Sequence, residues 1–266
     1  MGTFFSPMRK IIENHEVVQT DHLNESNFVL HLKAPVNIPE IHPGNFAEIQ
    51  VPDAHDVFLR RPFSILDVDY NNNIISFYIK AIGPGTKKLG QLNPGTQVNL
   101  IYPLGNRYSV PQGLQHALIV GGGTGIAPFI LLGKELHEKG INTTFLIGGR
   151  SKNDIFLTEK FSAYGKVLVT TEDGSRGEHG LVTGHSIFHR DDFPYEYVYT
   201  CGPDAMMQAV ARIVTEKGVV CEASLENMMA CGYGICLCCV TATREGNKRV
   251  CYEGPVFNVN YLTWQT

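Results

Sequence analysis

Hydrophobic and polar positions alternate with a period of two through the first part of the chain. β-Branched and aromatic runs such as Phe28-Val29-Leu30-His31-Leu32, Phe46-Ala47-Glu48-Ile49, Ile74-Ile75-Ser76-Phe77 and Val98-Asn99-Leu100-Ile101 are separated by turn residues at Pro43-Gly44, Asn71-Asn72-Asn73 and Pro94-Gly95. This pattern predicts short antiparallel strands rather than strand–helix–strand units, and so a small antiparallel β barrel over residues 1–112, interrupted by one short helix from near Thr86. After Pro111 the period changes. Near-continuous apolar runs, His116 to Val120, Thr143 to Ile147, Val167 to Val169 and Tyr197 to Tyr199, alternate with helical stretches over 126–138, 154–164 and 203–217. Such runs suit strands buried on both faces, so 113–218 is expected to be a parallel-sheet α/β domain of the nucleotide-binding kind. A last strand, Val219 to Leu225, leads into a cysteine-rich C-terminal appendage, 219–266.

Composition narrows the classes. The 266 residues suffice for two ordinary domains, and a hydrophobic share of 43% describes a globular chain. A net charge of −4 argues against nucleic acid, which needs a basic surface. No run approaches the roughly 20 apolar residues of a membrane span, and the N-terminus lacks the apolar stretch of a signal peptide. Seven cysteines without a secretion signal fit a reducing cytoplasm. The opening Met1-Gly2-Thr3-Phe4-Phe5-Ser6 matches the short myristoylation pattern, although nothing polybasic follows it.

The sharpest chemical signal lies in Cys231-Gly-Tyr-Gly-Ile-Cys236-Leu-Cys238-Cys239 and Cys251. Cys231, Cys236 and Cys239 are spaced C-x4-C-x2-C, with Cys251 after a gap of eleven residues, which is the spacing of a plant-type [2Fe–2S] cluster. Four thiolates must converge from a sharply turning loop; Gly232 and Gly234 permit the turn and leave peptide N–H groups free to point at sulfur. Zinc remains a rival, although zinc more often shows two C-x2-C pairs and only one is present. A disulfide framework would want an oxidising compartment and usually an even cysteine count. Using Cys238 in place of Cys239 would strain the loop.

Two weaker motifs lie in the barrel. Arg61-Pro62-Phe63-Ser64 opens a strand, where Arg61 can neutralise a pyrophosphate and Ser64 can hydrogen-bond a flavin ring; alone, it reads equally as an Arg-Pro turn. Gly83-Pro84-Gly85-Thr86 opens a helix, whose first N–H groups and dipole suit an anion. In the α/β half, Gly121-Gly122-Gly123-Thr124-Gly125 follows a buried strand. Ile126 stands where a third fingerprint glycine would be, so this is no ordinary dinucleotide fingerprint. It still offers a glycine ledge for a nicotinamide diphosphate, with Thr124 as donor. Cys201-Gly202-Pro203 ends a later strand at the sheet edge where such folds bind ligands; Cys201 can be a catalytic neighbour of the nicotinamide or merely a small buried residue. Glu172-Asp173 can accept ribose hydroxyls, favouring NAD over NADP, or form a plain turn, leaving Arg150 or Arg176 to hold a phosphate.

With these segments in order, the chain resembles the ferredoxin–NADP reductase superfamily, and more narrowly the electron-transfer subunits of class 1B dihydroorotate dehydrogenase. The resemblance runs from Arg61-Pro62-Phe63-Ser64 and Gly85-Thr86 through Gly121 to Pro128 and Cys201-Gly202-Pro203 to Met229-Ala230-Cys231-Gly232 and Cys251. It implies FAD against Arg61, Pro62, Phe63, Ser64, Tyr78, Ile79, Lys80, Gly85 and Thr86, and a cluster on Cys231, Cys236, Cys239 and Cys251. Cys238 departs from it, standing where the family tends to carry a small residue. It further implies a separate FMN-bearing dihydroorotate dehydrogenase catalytic subunit, in a heterotetramer of two of each, with electrons passing through the cluster and FAD to NAD. A flavin that takes electron pairs beside a cluster that takes single electrons makes a two-to-one converter. The nearest rival is a subunit of a ferredoxin:NAD(P) oxidoreductase or sulfide dehydrogenase; a rival of another class is a non-catalytic, zinc-stabilised nucleotide sensor.

Overall fold

The computed structural model describes residues 10–264. The Met1 to Ser6 pattern therefore lies outside the described residues. The first half is one antiparallel sheet of β1 (Ile11–His22), β2 (Asn27–Lys33), β3 (Phe46–Ile49), β4 (Arg61–Ser64), β5 (Asp67–Asp69), β6 (Ile74–Lys80) and β7 (Gln97–Leu104), with the helix α1 (Pro84–Leu89) before β7. The strand order β4-β3-β7-β1-β2-β6-β5 curls into a half-barrel. Strand alternation sorts its faces: Ala47 and Ile49 join Val17, Leu30, Phe77 and Leu100 inside. Phe46 and Glu48, one residue out of phase, face away from that core.

The second half contains β8 (His116–Gly122), α2 (Phe129–Glu138), β9 (Asn142–Gly149), α3 (Thr158–Ser162), β10 (Lys166–Thr171), β11 (Glu178–His179), β12 (Tyr197–Cys201), α4 (Asp204–Glu216), β13 (Val220–Ser224), the hairpin β14 (Val240–Thr243) and β15 (Gly246–Arg249), α5 (Val250–Glu253) and β16 (Val256–Asn258). The order β11-β10-β9-β8-β12-β13-β16 is parallel up to β13, and β16 joins antiparallel. Among the described residues no helix is long and apolar enough to cross a membrane.

Three expectations shift. The helix expected from 126 begins at Phe129, because Gly123–Ile126 forms a 3-10 turn and Pro128 caps the helix that follows. The helix expected over 154–164 shrinks to Thr158–Ser162, since Leu157 takes a left-handed φ of 58°. Where the sequence pattern suggests a separate appendage from 219, β13 extends the parallel sheet and β16 returns to pair with it. The cysteine loop is thus an excursion between two strands of one sheet, held at both ends.

That excursion also packs on the barrel. The Asn106 amide donates to the carbonyls of Glu253 (3.0 Å) and Val256 (2.8 Å) and accepts from the Val256 N–H (3.0 Å). A Cβ on Gly105 would meet Pro255 at 2.4 Å, so only glycine admits this approach. Phe46 and Leu104 of the barrel share a core with Met229, Cys239, Val250 and Cys251.

Candidate functional site

A cavity of about 660 Å³ lies between the two halves. Its barrel wall is built by Arg61 to Ser64 on β4, by Tyr78, Ile79 and Lys80 on β6, and by Thr86; the opposite wall is Thr124, Ala127 and Ser224 to Met229. The expected flavin contacts therefore come together, with one exception. Gly85 does not line the cavity; a Cβ there would press on Val57 and Val51 at 3.2 and 3.3 Å, with Arg61 Nε 3.7 Å away, so the glycine leaves room behind the arginine. The Thr86 hydroxyl accepts from the Ile82 and Gly83 N–H groups and donates to the Gly83 carbonyl, which fixes the entry to α1. Tyr78 donates to Asn27 Oδ1 at 3.0 Å, locking its ring against the cavity. Three cationic residues line this largely apolar cleft, Arg60, Arg61 and Lys80; Arg60 is hydrogen-bonded to Asn99, and the other two fit a ligand with an apolar ring system and a pyrophosphate.

A second groove of about 380 Å³ opens beside the first, lined by Gly122, Gly123, Thr124, Gly202 and Pro203. The two cavities share Tyr78, Lys80, Thr124 and Glu226, so ligands seated in them would meet there. The glycines divide by role. Gly123, with a φ of 58°, has open space where a Cβ would stand, whereas Gly125 would drive one to 2.4 Å from the Cys201 carbonyl oxygen. Gly121 and Gly125 thus serve close packing and do not line the groove; a Cβ on Gly121 would strike Ile126 at 2.8 Å.

Cys201 is wholly buried at the end of β12 and is not part of the groove wall, which begins with the next residue. Burial, with a smaller push from Glu226, drives its thiol pKa well above the usual value. It can therefore shape the floor by size but holds its proton. Glu172 and Asp173 lie in an exposed turn after β10, outside both cavities. Asp173 accepts from the Ser175 N–H at 2.9 Å and its hydroxyl at 2.6 Å, which lowers its pKa.

Beyond Met229 the chain enters the cysteine loop, and Cys231 follows by two residues, a span of at most about 7 Å. Gly232, Gly234 and Leu237 take φ values of 66°, 78° and 60°, which coil the loop tightly. The coil turns peptide N–H groups onto sulfur. Tyr233 and Ile235 donate to Cys231 Sγ at 3.4 Å each, Gly234 to Cys251 Sγ at 3.1 Å, and Cys251 to Cys239 Sγ at 3.4 Å. The thiols pair, Cys231 beside Cys236 and Cys251 beside Cys239. Burial raises the Cys231 thiol, but the N–H donors outweigh it and bring its pKa down to about 6. Burial and the neighbouring Cys239 push Cys251 up to about 12.

Among the described residues no three His, Cys, Asp or Glu converge as a single-ion site requires. Two pairs of thiols with N–H donors aimed at Cys231, Cys239 and Cys251 fit a two-iron cluster, in which each iron takes two cysteines. Cys238, like Cys236, is exposed. Residues the sequence motifs did not single out also shape the site: Glu226 on the shared wall, Met228 on the first cavity, and Asn27 on the groove. Their one sequence cue is position, immediately before Cys231 for the first two.

A sequence model described as the iron–sulfur cluster binding domain of dihydroorotate dehydrogenase B matches residues 226–263, and an oxidoreductase NAD-binding domain model matches 119–212. The chain is 36% identical over 221 residues to the dihydroorotate dehydrogenase B (NAD(+)) electron transfer subunit of Fusobacterium nucleatum, covering 81% of this chain and 84% of that one. It is 35% identical to the Bacillus pumilus counterpart over 252 residues, 93% of this chain and 94% of that one. A solved NADH-dependent reduced ferredoxin–NADP oxidoreductase superposes with a TM-score of 0.85 at 28% identity, covering 94% of this chain and 90% of that one. The ferredoxin reductase of carbazole 1,9a-dioxygenase, at 20% identity and a TM-score of 0.69 over 80% of this chain and 68% of that one, shares the fold.

Proposed function

The chain belongs to the family of dihydroorotate dehydrogenase B electron transfer subunits, and from that premise we propose that it carries electrons between a partner FMN dehydrogenase oxidising dihydroorotate in pyrimidine biosynthesis and NAD. The single observation supporting this route is the wall shared by the two cavities, from which the chain runs directly into the cysteine loop. When bound, FAD exchanges a hydride with the nicotinamide and passes electrons singly to the [2Fe–2S] cluster.

The chain's own residues do the rest. Arg61 would neutralise the pyrophosphate and Ser64 would hydrogen-bond the ring, with Tyr78, Ile79 and Lys80 as the strand wall that would hold the flavin. Thr86 holds the α1 entry in place. Gly122, Gly123 and Gly202 would give the dinucleotide an open backbone surface, flanked by Thr124 and Pro203. Cys201, neutral and packed beneath the groove, would set by its size the depth available to a nicotinamide. Glu172 and Asp173, in the exposed turn after β10, would disfavour a 2′-phosphate on a ribose extending past the groove. Cys231, Cys236, Cys239 and Cys251 would hold the cluster, and the N–H groups aimed at their sulfurs would stabilise the negative charge it gains on reduction.

The working unit is a heterotetramer of two such chains and two catalytic subunits in the cytoplasm, with domains at 1–112 and 113–218 and the segment 219–266 completing the second domain's sheet while carrying the cysteine loop. The test is anaerobic. The purified protein should be brown-yellow and bleach with NADH, and, once mixed with its catalytic partner, its flavin should be reduced by dihydroorotate. A colourless protein containing zinc would overturn the cofactor assignment; NADH bleaching with no response to dihydroorotate in the complex would overturn the partner.

A further inference from the structure

Lys10, just before β1, reaches from the barrel onto the cysteine loop. Its ammonium lies 4.8 Å from the ring centre of Tyr233 and 5.2 Å from that of Tyr252. Tyr233 sits between Cys231 and Cys236, and Tyr252 follows Cys251, so the cation touches one ring from each half of the ligand set. A second cation, Arg249, stands 4.8 Å from Tyr252 but is bound to Glu253 at 2.6 Å, which cancels its charge locally. Lys10 makes no ion pair among the described residues. Burial lowers its pKa, opposed by the Cys251 and Cys231 sulfurs, which places the ammonium within electrostatic reach of both.

We propose that Lys10 is a tuning residue of the cluster, its ammonium held against the loop by Tyr233 and Tyr252 so that the cluster accepts an electron more readily. This rests on the four cysteines being cluster ligands. Four thiolates outweigh the positive charge of the oxidised core, and reduction by one electron adds a further negative charge with no proton moved and no bond broken. A fixed neighbouring cation therefore stabilises the reduced form more than the oxidised one, and partial burial strengthens the effect. A free lysine would spend its time in water; the two rings, each a cation–π partner, hold it in place.

The experiment is an anaerobic redox titration of the holoprotein read by the EPR signal of the reduced cluster, with iron, sulfide and flavin content measured on the same samples. Lys10→Met is expected to shift the cluster midpoint to lower potential, with Lys10→Arg close to the parent and the flavin midpoint unchanged in both. A Lys10→Met midpoint equal to the parent's, or equal falls in Met and Arg variants, overturns the role of Lys10. Should Lys10→Met fail to retain iron, Tyr252→Leu decides: it frees the ammonium from one ring and is expected to lower the midpoint, and an unmoved value overturns the proposal. A parent protein with no [2Fe–2S] signal overturns the cluster reading beneath it.

Discussion

Glu48 is wholly buried on the outer face of β3, and neither carboxylate oxygen has a hydrogen-bond partner. It lies under the cysteine loop, where a Cβ on Gly232 would meet its Cγ at 2.9 Å. Burial pushes its pKa up to about 7, against the pull of Arg60 and Arg61 and with a further push from Cys231. A carboxyl that binds its proton more tightly folded than unfolded adds stability fully present below its unfolded pKa of about 4.5 and lost as pH rises through about 7. At about 1.4 kcal/mol per unit the upper limit is about 3 kcal/mol. Glu48→Gln is therefore expected to raise the melting temperature at pH 8.5, by the equivalent of about 2 kcal/mol, and to make little difference at pH 5. Thermal scans at the two pH values check it; equal gains at both would mean that packing, not charge, is responsible. A second residue is constrained by space alone. Gly125→Ala sets a methyl against the Cys201–Gly202 backbone, so a loss of about 1–3 kcal/mol is expected. NADH affinity should fall more than flavin content, measurable by anaerobic titration and by absorbance.

At the scale of elements, the cysteine loop was the most legible part of the chain, because ligand spacing and two glycines specify both chemistry and curvature. Cys236→Ser is expected to abolish or strongly weaken the cluster EPR signal while leaving flavin bound, since Cys236 lies outside the barrel cavity. The strands were legible for a comparable reason: alternation and near-continuous apolar runs report directly which faces are buried. The short elements were not. β5, β11 and the β14–β15 hairpin are held by pairing to neighbours rather than by their own pattern, and the two expected helices were cut by Pro128 and by the left-handed Leu157. Nor does sequence reveal which glycine of Gly121 to Gly125 faces a ligand, because that depends on where Cys201, Ile126 and Met206 arrive in space. Glu48 reads as an ordinary polar position in an alternating strand. Only docking of the loop, distant in sequence, makes it a buried acid.

At the scale of the molecule, three ties hold the halves together around the cavities. Arg107 pairs with Glu135 at 2.6 Å, Ser109 donates through N–H and hydroxyl to Glu222 at 2.9 and 2.7 Å, and Asn106 clasps the return from the cysteine loop. The cluster loop is thereby fixed against the barrel, and its outer surface is what remains for a partner. Ile235 is 81% exposed and Leu237 61% exposed, flanking the exposed Cys236. Large apolar side chains held in water beside a redox loop suit a docking face. Ile235→Asp and Leu237→Asp are each expected to cut dihydroorotate-dependent NAD reduction in the assembled complex at least tenfold. The NADH-driven reduction of a small dye, which needs only the flavin cavity, should stay within about twofold of the parent, since a buried charge at an interface costs binding rather than hydride transfer. Equal losses in both assays would show that the substitutions damage the loop itself, and iron content would distinguish that outcome.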